Sequence, residues 1–148
     1  MNTQLFWAHF RWLLIQSLSI MQLPIVRWIV AFFVIGSIVS LIWQRPFEAE
    51  RWKRSYWLVF TQSLVLISVI AVGVLFRATT NPPLRPIVNP VGNQAVNVLF
   101  FVSLALGFFL VYRTKGCRWL AFCLVSLQEL FVLSAVFIAG MSVTGDWL

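Results

Sequence analysis

Long uninterrupted apolar runs limit what this chain can fold into more than any other feature. Three runs, at 56–76, 95–112 and 119–140, are each close to the roughly 20 residues that an α-helix needs to cross the hydrocarbon core of a bilayer. A fourth run, 28–43, is shorter, but a tryptophan stands at each end, as in the two aromatic belts at membrane interfaces. The apolar residues are continuous and do not alternate with polar ones. The pattern therefore predicts membrane-spanning helices, which satisfy their own backbone hydrogen bonds in lipid.

The composition supports this prediction. The 148 residues are 61% hydrophobic and only 10% charged, whereas a soluble domain carries roughly 25% charged residues. We therefore predict an all-α integral membrane protein, a single transmembrane domain built as a bundle of four transmembrane helices. The net charge of +7 is carried mainly between the apolar runs, where basic side chains face lipid headgroups, so nucleic acid is not an expected partner.

The first apolar segment, 5–21, is ambiguous. It is apolar enough to enter lipid, but it contains His9, Arg11 and Gln16. The interpretation that we favour is an interfacial helix. The alternative is a fifth spanning helix that turns back around Pro24. The N-terminus is extracytoplasmic in the first case and cytoplasmic in the second.

Basic residues collect in two connections, 44–55 and 113–118, and are sparse in the longer connection 77–94. Because short cytoplasmic loops retain lysine and arginine, we expect the first two to be cytoplasmic, and 77–94 and the C-terminus to be extracytoplasmic. The expected membrane is a bacterial inner membrane or a plasma membrane. The residues expected to face headgroups are Arg45, Arg51, Lys53, Arg54, Arg113, Lys115 and Arg118.

The 77–94 connection is dense in proline and asparagine, and prolines lower the entropy cost of ordering a loop. It is interpreted as a rigid cap over the helix ends or as a surface that docks a partner. The residues concerned are Asn81, Pro82, Pro83, Arg85, Pro86, Asn89 and Pro90.

Glu129 is the most informative single residue. It follows Trp119 by about ten residues, or about 15 Å of helix, which places it near the middle of the membrane. A charge at that depth costs several kcal/mol unless it is paired, so a neutral, hydrogen-bonded carboxyl group is expected. The predicted partners are Ser126, one turn earlier, and Gln62 on another helix. Gln128 points about 100° away from Glu129, so the two are not expected to face one partner, and one of them is expected to contact a different helix or subunit.

Two interpretations of this polar site remain open. The favoured one is a polar clasp between helices, and the other is a proton or ion site.

Small residues also recur four positions apart, a spacing that lets helix backbones approach closely. These pairs are Gly36 with Ser40, Ser103 with Gly107, and Ala135 with Ala139.

The sequence contains no pattern typical of catalysis, so an enzyme is not predicted. No metal site and no cofactor is expected. His9 is the only histidine, which makes haem or another pigment improbable, whereas a bound lipid is compatible with the apolar surface. The leading functional hypothesis is a non-catalytic membrane subunit that packs against other integral membrane chains or copies of itself. A homo-oligomeric channel or transporter that uses Glu129 is the alternative, and a membrane-perturbing effector is a weaker one.

Overall fold

Five helices make up most of the chain that the structure describes. The computed structural model covers residues 3–43, 49–77, 79–81, 85–87, 89–114 and 118–145, with side chains for all of these except 49–59, 79–81 and 85–87. The helices are α1 (Thr3–Ile20), α2 (Pro24–Trp43), α3 (Ala49–Leu75), α4 (Pro90–Arg113) and α5 (Arg118–Thr144).

Within these residues, α2, α4 and α5 are long and apolar enough to cross a membrane, and α3 contains a shorter apolar stretch, Phe60–Leu75. The predicted helical membrane architecture is therefore confirmed, while the count of four spans stays a prediction.

A short β-hairpin lies between α3 and α4 and departs from the all-α prediction. Strand β1 (Thr79–Asn81) pairs antiparallel with β2 (Arg85–Ile87), and Thr80 stands opposite Pro86. Strands of three residues are too short to give an alternating apolar pattern, so the sequence did not reveal them.

The helix after the hairpin begins at Pro90, earlier than the predicted Ala95. Asn89 is its N-cap: the Asn89 side chain accepts a hydrogen bond from the Gly92 backbone N–H at 3.2 Å. Proline at the first helical position loses no hydrogen bond, because that N–H has no partner inside the helix. Asn89 and Pro90 of the predicted cap thus start a helix.

The central helix is α5, which packs against each of the other four. Helix α3 runs parallel to it, since Gln62 lies beside Glu129 and Gly73 beside Ala139. Helix α4 runs antiparallel, since Ser103 lies beside the same glutamate at 2.9 Å. We call the end where α3 meets α4 the hairpin end, and the opposite end, where α4 meets α5, the basic end.

Helix α1 packs along α3 and α5 in the half of the bundle nearer the hairpin end. The guanidinium of Arg77, just after α3, donates a hydrogen bond to His9 Nε2, and the Ser134 hydroxyl donates to the Ser17 carbonyl at 2.5 Å. Leu13, between these contacts, is buried in the core. Helix α1 therefore runs antiparallel to α5.

Helix α2 continues in the same direction and does not turn back on α1. A Cβ atom on Gly36 would lie 3.1 Å from Cys123 Sγ, and Ser40 and Trp43 lie near Trp119, so α2 approaches the basic end as it proceeds. Helices α1 and α2 do not pack side by side within the described residues. Backbone N–H groups of residues 21–23 each bond to the carbonyl three residues earlier, which keeps the helical path through the junction. The structure therefore differs from the alternative in which the chain turns back around Pro24. The favoured interpretation, a purely interfacial α1, does not account for buried Leu13.

The largest buried cluster lies toward the hairpin end and draws on α1, α3, α4 and α5, with no residue from α2. Its members are Leu13, Val69, Ile70, Val74, Val96, Ala135, Ile138, Ala139 and Val143.

Substitutions at two glycines, one on α3 and one on α5, test whether α3 and α5 must pack closely. A methyl group on Gly73 would lie 2.7 Å from the Ala139 Cβ, whereas one on Gly140 would meet no atom within 4 Å. We expect Gly73→Ala to lower the free energy of unfolding by about 1–3 kcal/mol through overpacking. Gly140→Ala, the matched control, is expected to leave it unchanged or raise it by up to about 1 kcal/mol. Thermal unfolding in mild detergent measures both, and equal effects would contradict the close α3–α5 contact.

Candidate functional site

Three polar side chains from three helices meet inside the bundle. Glu129 Oε1 on α5 accepts a hydrogen bond from the Ser103 hydroxyl of α4 at 2.9 Å and another from Gln62 Nε2 of α3. Gln62 Nε2 also lies 3.5 Å from Ser103 Oγ, and both of these residues are fully buried. We call Gln62, Ser103 and Glu129 the clasp, since one carboxyl oxygen joins α3 and α4 to α5.

Ser103 was not predicted to be a partner of Glu129. It was recognised only as a small residue spaced four positions from Gly107. The structure shows why both features matter: a Cβ on Gly107 would lie 3.1 Å from Glu129 Oε1 and 3.3 Å from Gln62 Nε2. The glycine leaves room for the carboxyl group, and the serine one turn earlier bonds to it. The small-residue pair was therefore a usable signal for the site.

Two expectations for the neighbours of Glu129 are wrong. Gln128 contacts the same helix as Glu129, because its Nε2 lies 3.5 Å from the Ser63 hydroxyl of α3. Because α3 and α5 run parallel, two adjacent residues of each helix lie on opposite sides of the line along which the helices touch. Gln62 therefore meets Glu129, and Ser63 meets Gln128. Ser126 makes no hydrogen bond to Glu129 and lines the groove described next.

An apolar groove of about 430 Å³ runs beside the clasp between α2, α4 and α5. Helices α2 and α4 do not pack against each other in the described part of the chain, which leaves the gap between them. Phe108 on its wall is 78% exposed, so the groove opens on the outside of the bundle. Its lining is apolar apart from Ser126 and Glu129: Phe33, Phe100, Leu104, Gly107, Phe108, Val111, Phe122, Val125, Leu130 and Leu133.

Three buried oxygen atoms around the clasp have no hydrogen-bond donor among the described residues. They are Glu129 Oε2, Gln62 Oε1 and Gln128 Oε1. A buried acceptor without a donor is costly, and each such group in a folded protein needs an explanation.

The predicted headgroup-facing residues are described only in part. The Arg113 guanidinium lies 5.9 Å from the Phe109 ring centre, and that of Arg118 lies 6.0 Å from the ring centre of Tyr112. Such cation–π contacts allow basic side chains to rest on aromatic rings at the basic end. The residues Arg45, Pro82, Pro83 and Lys115 lie outside the described part of the chain, as do the side chains of Arg51, Lys53, Arg54, Asn81, Arg85 and Pro86.

Ser103 and Ser126 provide a matched pair for testing the clasp. We expect Ser103→Ala to lower the free energy of unfolding in detergent by about 0.6–2 kcal/mol, because it removes a hydrogen bond between α4 and α5. Ser126→Ala removes a hydroxyl that makes no hydrogen bond to any described residue, so a change below about 0.5 kcal/mol is expected. Thermal or denaturant unfolding measures the difference. Equal losses for the two variants would show that the Ser103 bond contributes nothing specific.

Comparisons with known proteins assign no family to this chain. A scan of protein-family models, a search of curated proteins and a search of solved structures each find no match. A functional proposal therefore depends on the clasp, the groove and the exposed helix faces.

Proposed function

We propose that this protein is a non-catalytic subunit that packs laterally against another integral membrane chain in a larger assembly. The observation that carries this proposal is the isolation of α2. It is a helix of spanning length whose one extensive contact among the described helices is with α5, while α3, α4 and α5 pack against one another. Most of the α2 surface therefore stays free for a neighbour outside the chain.

The free surface of α2 forms a continuous stripe. Its only buried residues, Ser37 and Ser40, lie on the side toward α5, and large side chains recur on the other side at helical spacing. We call these the α2 stripe, and each is more than half exposed: Ile25, Trp28, Phe32, Ile35 and Ile42.

The chemistry of the stripe supports a helix of another membrane protein as its neighbour. Association in lipid depends on van der Waals packing, and an extended ridge of aromatic and branched side chains offers much contact area. Aromatic residues are also enriched where protein surfaces meet. The clasp holds α3 and α4 on α5, so α2 packs on a helix that is itself held in place by two others.

A second candidate function, proton or cation transport by a homo-oligomer, is favoured by one observation: Glu129 lines an open groove. Flux in proteoliposomes that disappears in the Glu129→Gln variant would support transport over a purely structural subunit.

The proposed orientation places 44–55 and 113–118 in the cytoplasm, and 77–94 and the C-terminus outside, in a bacterial inner membrane or a plasma membrane. The N-terminus of α1 then lies outside as well, because His9 meets Arg77.

Cysteine labelling tests this orientation. In a background with Cys117→Ser and Cys123→Ala, we expect a membrane-impermeant maleimide to label Thr3→Cys and Thr80→Cys in intact cells. Lys115→Cys should react only after permeabilisation. Labelling of Thr3→Cys and Thr80→Cys from opposite sides would contradict the arrangement of α1.

The subunit proposal predicts that one membrane protein co-purifies in mild detergent at fixed stoichiometry and depends on the α2 stripe. We expect the double variant Phe32→Ala, Ile35→Ala to lower the apparent affinity for that partner at least about tenfold, or about 1.4 kcal/mol. The melting temperature should change little, because both side chains are exposed.

Phe101→Ala on α4 is the matched control, since Phe101 is 67% exposed but lies outside the stripe. It should leave the partner bound. Recovery of the protein only as a lone monomer, or equal loss of the partner in both variants, would contradict the proposal. Quantitative mass spectrometry of the purified complex provides the measurement.

A further inference from the structure

Around Glu129, buried acceptor atoms outnumber the donors that the described residues supply. Glu129 Oε1 has two donors, whereas Glu129 Oε2 and Gln62 Oε1 are buried with none. Rotating the Gln62 amide does not help, because its oxygen would then replace the nitrogen that donates to Oε1. In either orientation two acceptors remain without a donor from the part of the chain that the structure describes.

We infer that Glu129 is a proton-binding site whose resting form is a neutral carboxylic acid, with the proton on Oε2, and that this site is reachable from the bilayer through the groove. The acid O–H supplies the missing donor. Gln62 is the natural acceptor, since its Nε2 already faces Oε1 and an acid and an amide together form two complementary hydrogen bonds.

The surroundings of the carboxyl group offer no opposite charge. The described side chains that contact Glu129, border it or share its groove include Gln62 of α3, Ser103 of α4, Ser126 and Gln128 of α5 and Phe33 of α2, and none of the described neighbours is titratable. An unpaired carboxylate in the middle of a membrane is strongly disfavoured, whereas a neutral acid with a buried amide partner is tolerated. This proton site does not depend on whether the α2 stripe binds a partner.

Access from the bilayer follows from the groove. Glu129 lies in its wall, and the aromatic side chains around it are partly exposed, among them Phe108 and Phe122. A small apolar reagent dissolved in lipid can therefore enter the groove beside Glu129 and reacts when the buried Oε2 turns toward it, whereas a water-soluble reagent is excluded from the bilayer.

Dicyclohexylcarbodiimide, a lipid-soluble reagent, tests both parts of the inference on the full chain in lipid nanodiscs. The carboxyl proton passes to a carbodiimide nitrogen and the carboxyl oxygen adds to the central carbon, so the reaction requires the protonated acid. We expect one adduct per chain on Glu129 near neutral pH, found by intact-mass and peptide mass spectrometry, with labelling that slows as the pH rises. A water-soluble carbodiimide should not modify this residue.

Glu129→Gln is the matched control, because it keeps the shape of the side chain and places an N–H donor where the acid has its O–H. It should fold, lose the adduct, and retain the other three carboxyl side chains of the chain, Glu48, Glu50 and Asp146. Ser126→Leu narrows the groove without removing a clasp bond, so it should slow labelling several-fold.

Infrared spectroscopy of the wild-type protein gives a second readout that needs no variant to fold. A protonated carboxyl C=O stretch near neutral pH that shifts on ¹³C labelling of glutamate supports the proton site. Only carboxylate bands near neutral pH, or an adduct that persists in Glu129→Gln, would overturn it. A protonated band without labelling at any pH would overturn access through the groove.

Discussion

Helices inside a bilayer gain no hydrophobic free energy by packing on one another, since lipid is as apolar as their own side chains. This bundle depends instead on how closely α5 is approached by its neighbours. Small residues provide that approach along its length: Gly36 against Cys123, Gly107 against Val125, and Gly73 against Ala139. Where backbones come this close, dispersion contacts and a few polar bonds can hold the helices together.

The two halves of the bundle differ because α1 packs only in the half toward the hairpin end. Toward the hairpin end it lies on α3 and α5, and Leu13 helps to complete the core. Toward the basic end α2 packs mainly on α5, and no helix of the described part of the chain fills the space between α2 and α4, so the groove remains. The clasp lies between the buried apolar cluster and this groove. Its position explains why one oxygen of Glu129 is held tightly while the residue still lines an open surface.

The sequence was most informative where lipid itself imposes the structure. Continuous apolar runs predicted α2 to α5, because an apolar segment of that length in lipid has to be helical. Glu129 and Gln62 were also found correctly as partners, since a buried carboxyl group needs a polar neighbour and few lie at its depth. The pairing of Gln128 with Ser63 was missed because it depends on α3 and α5 being parallel and in register. Ser103 was missed for a related reason: its spacing from Gly107 indicates a close helix contact, but which residue of α5 it meets depends on how α4 is rotated. Helix α1 is apolar enough for lipid and polar enough for an interface, so only tertiary packing decides its path.

The geometry of the clasp bears on the choice between a subunit and a transporter. Transport requires that a proton at Glu129 can leave toward both sides of the membrane through polar groups or water. Toward the basic end, the groove next to Glu129 is lined by Val111, Phe122 and Val125, and the Ser126 hydroxyl is the one group among its described lining residues there that can hydrogen-bond to a proton carrier. Toward the hairpin end lies the buried apolar cluster. A carboxyl group that joins three helices and has mostly apolar surroundings on both sides is better suited to holding helices together than to passing protons between compartments, and this favours the proposed subunit over the transporter.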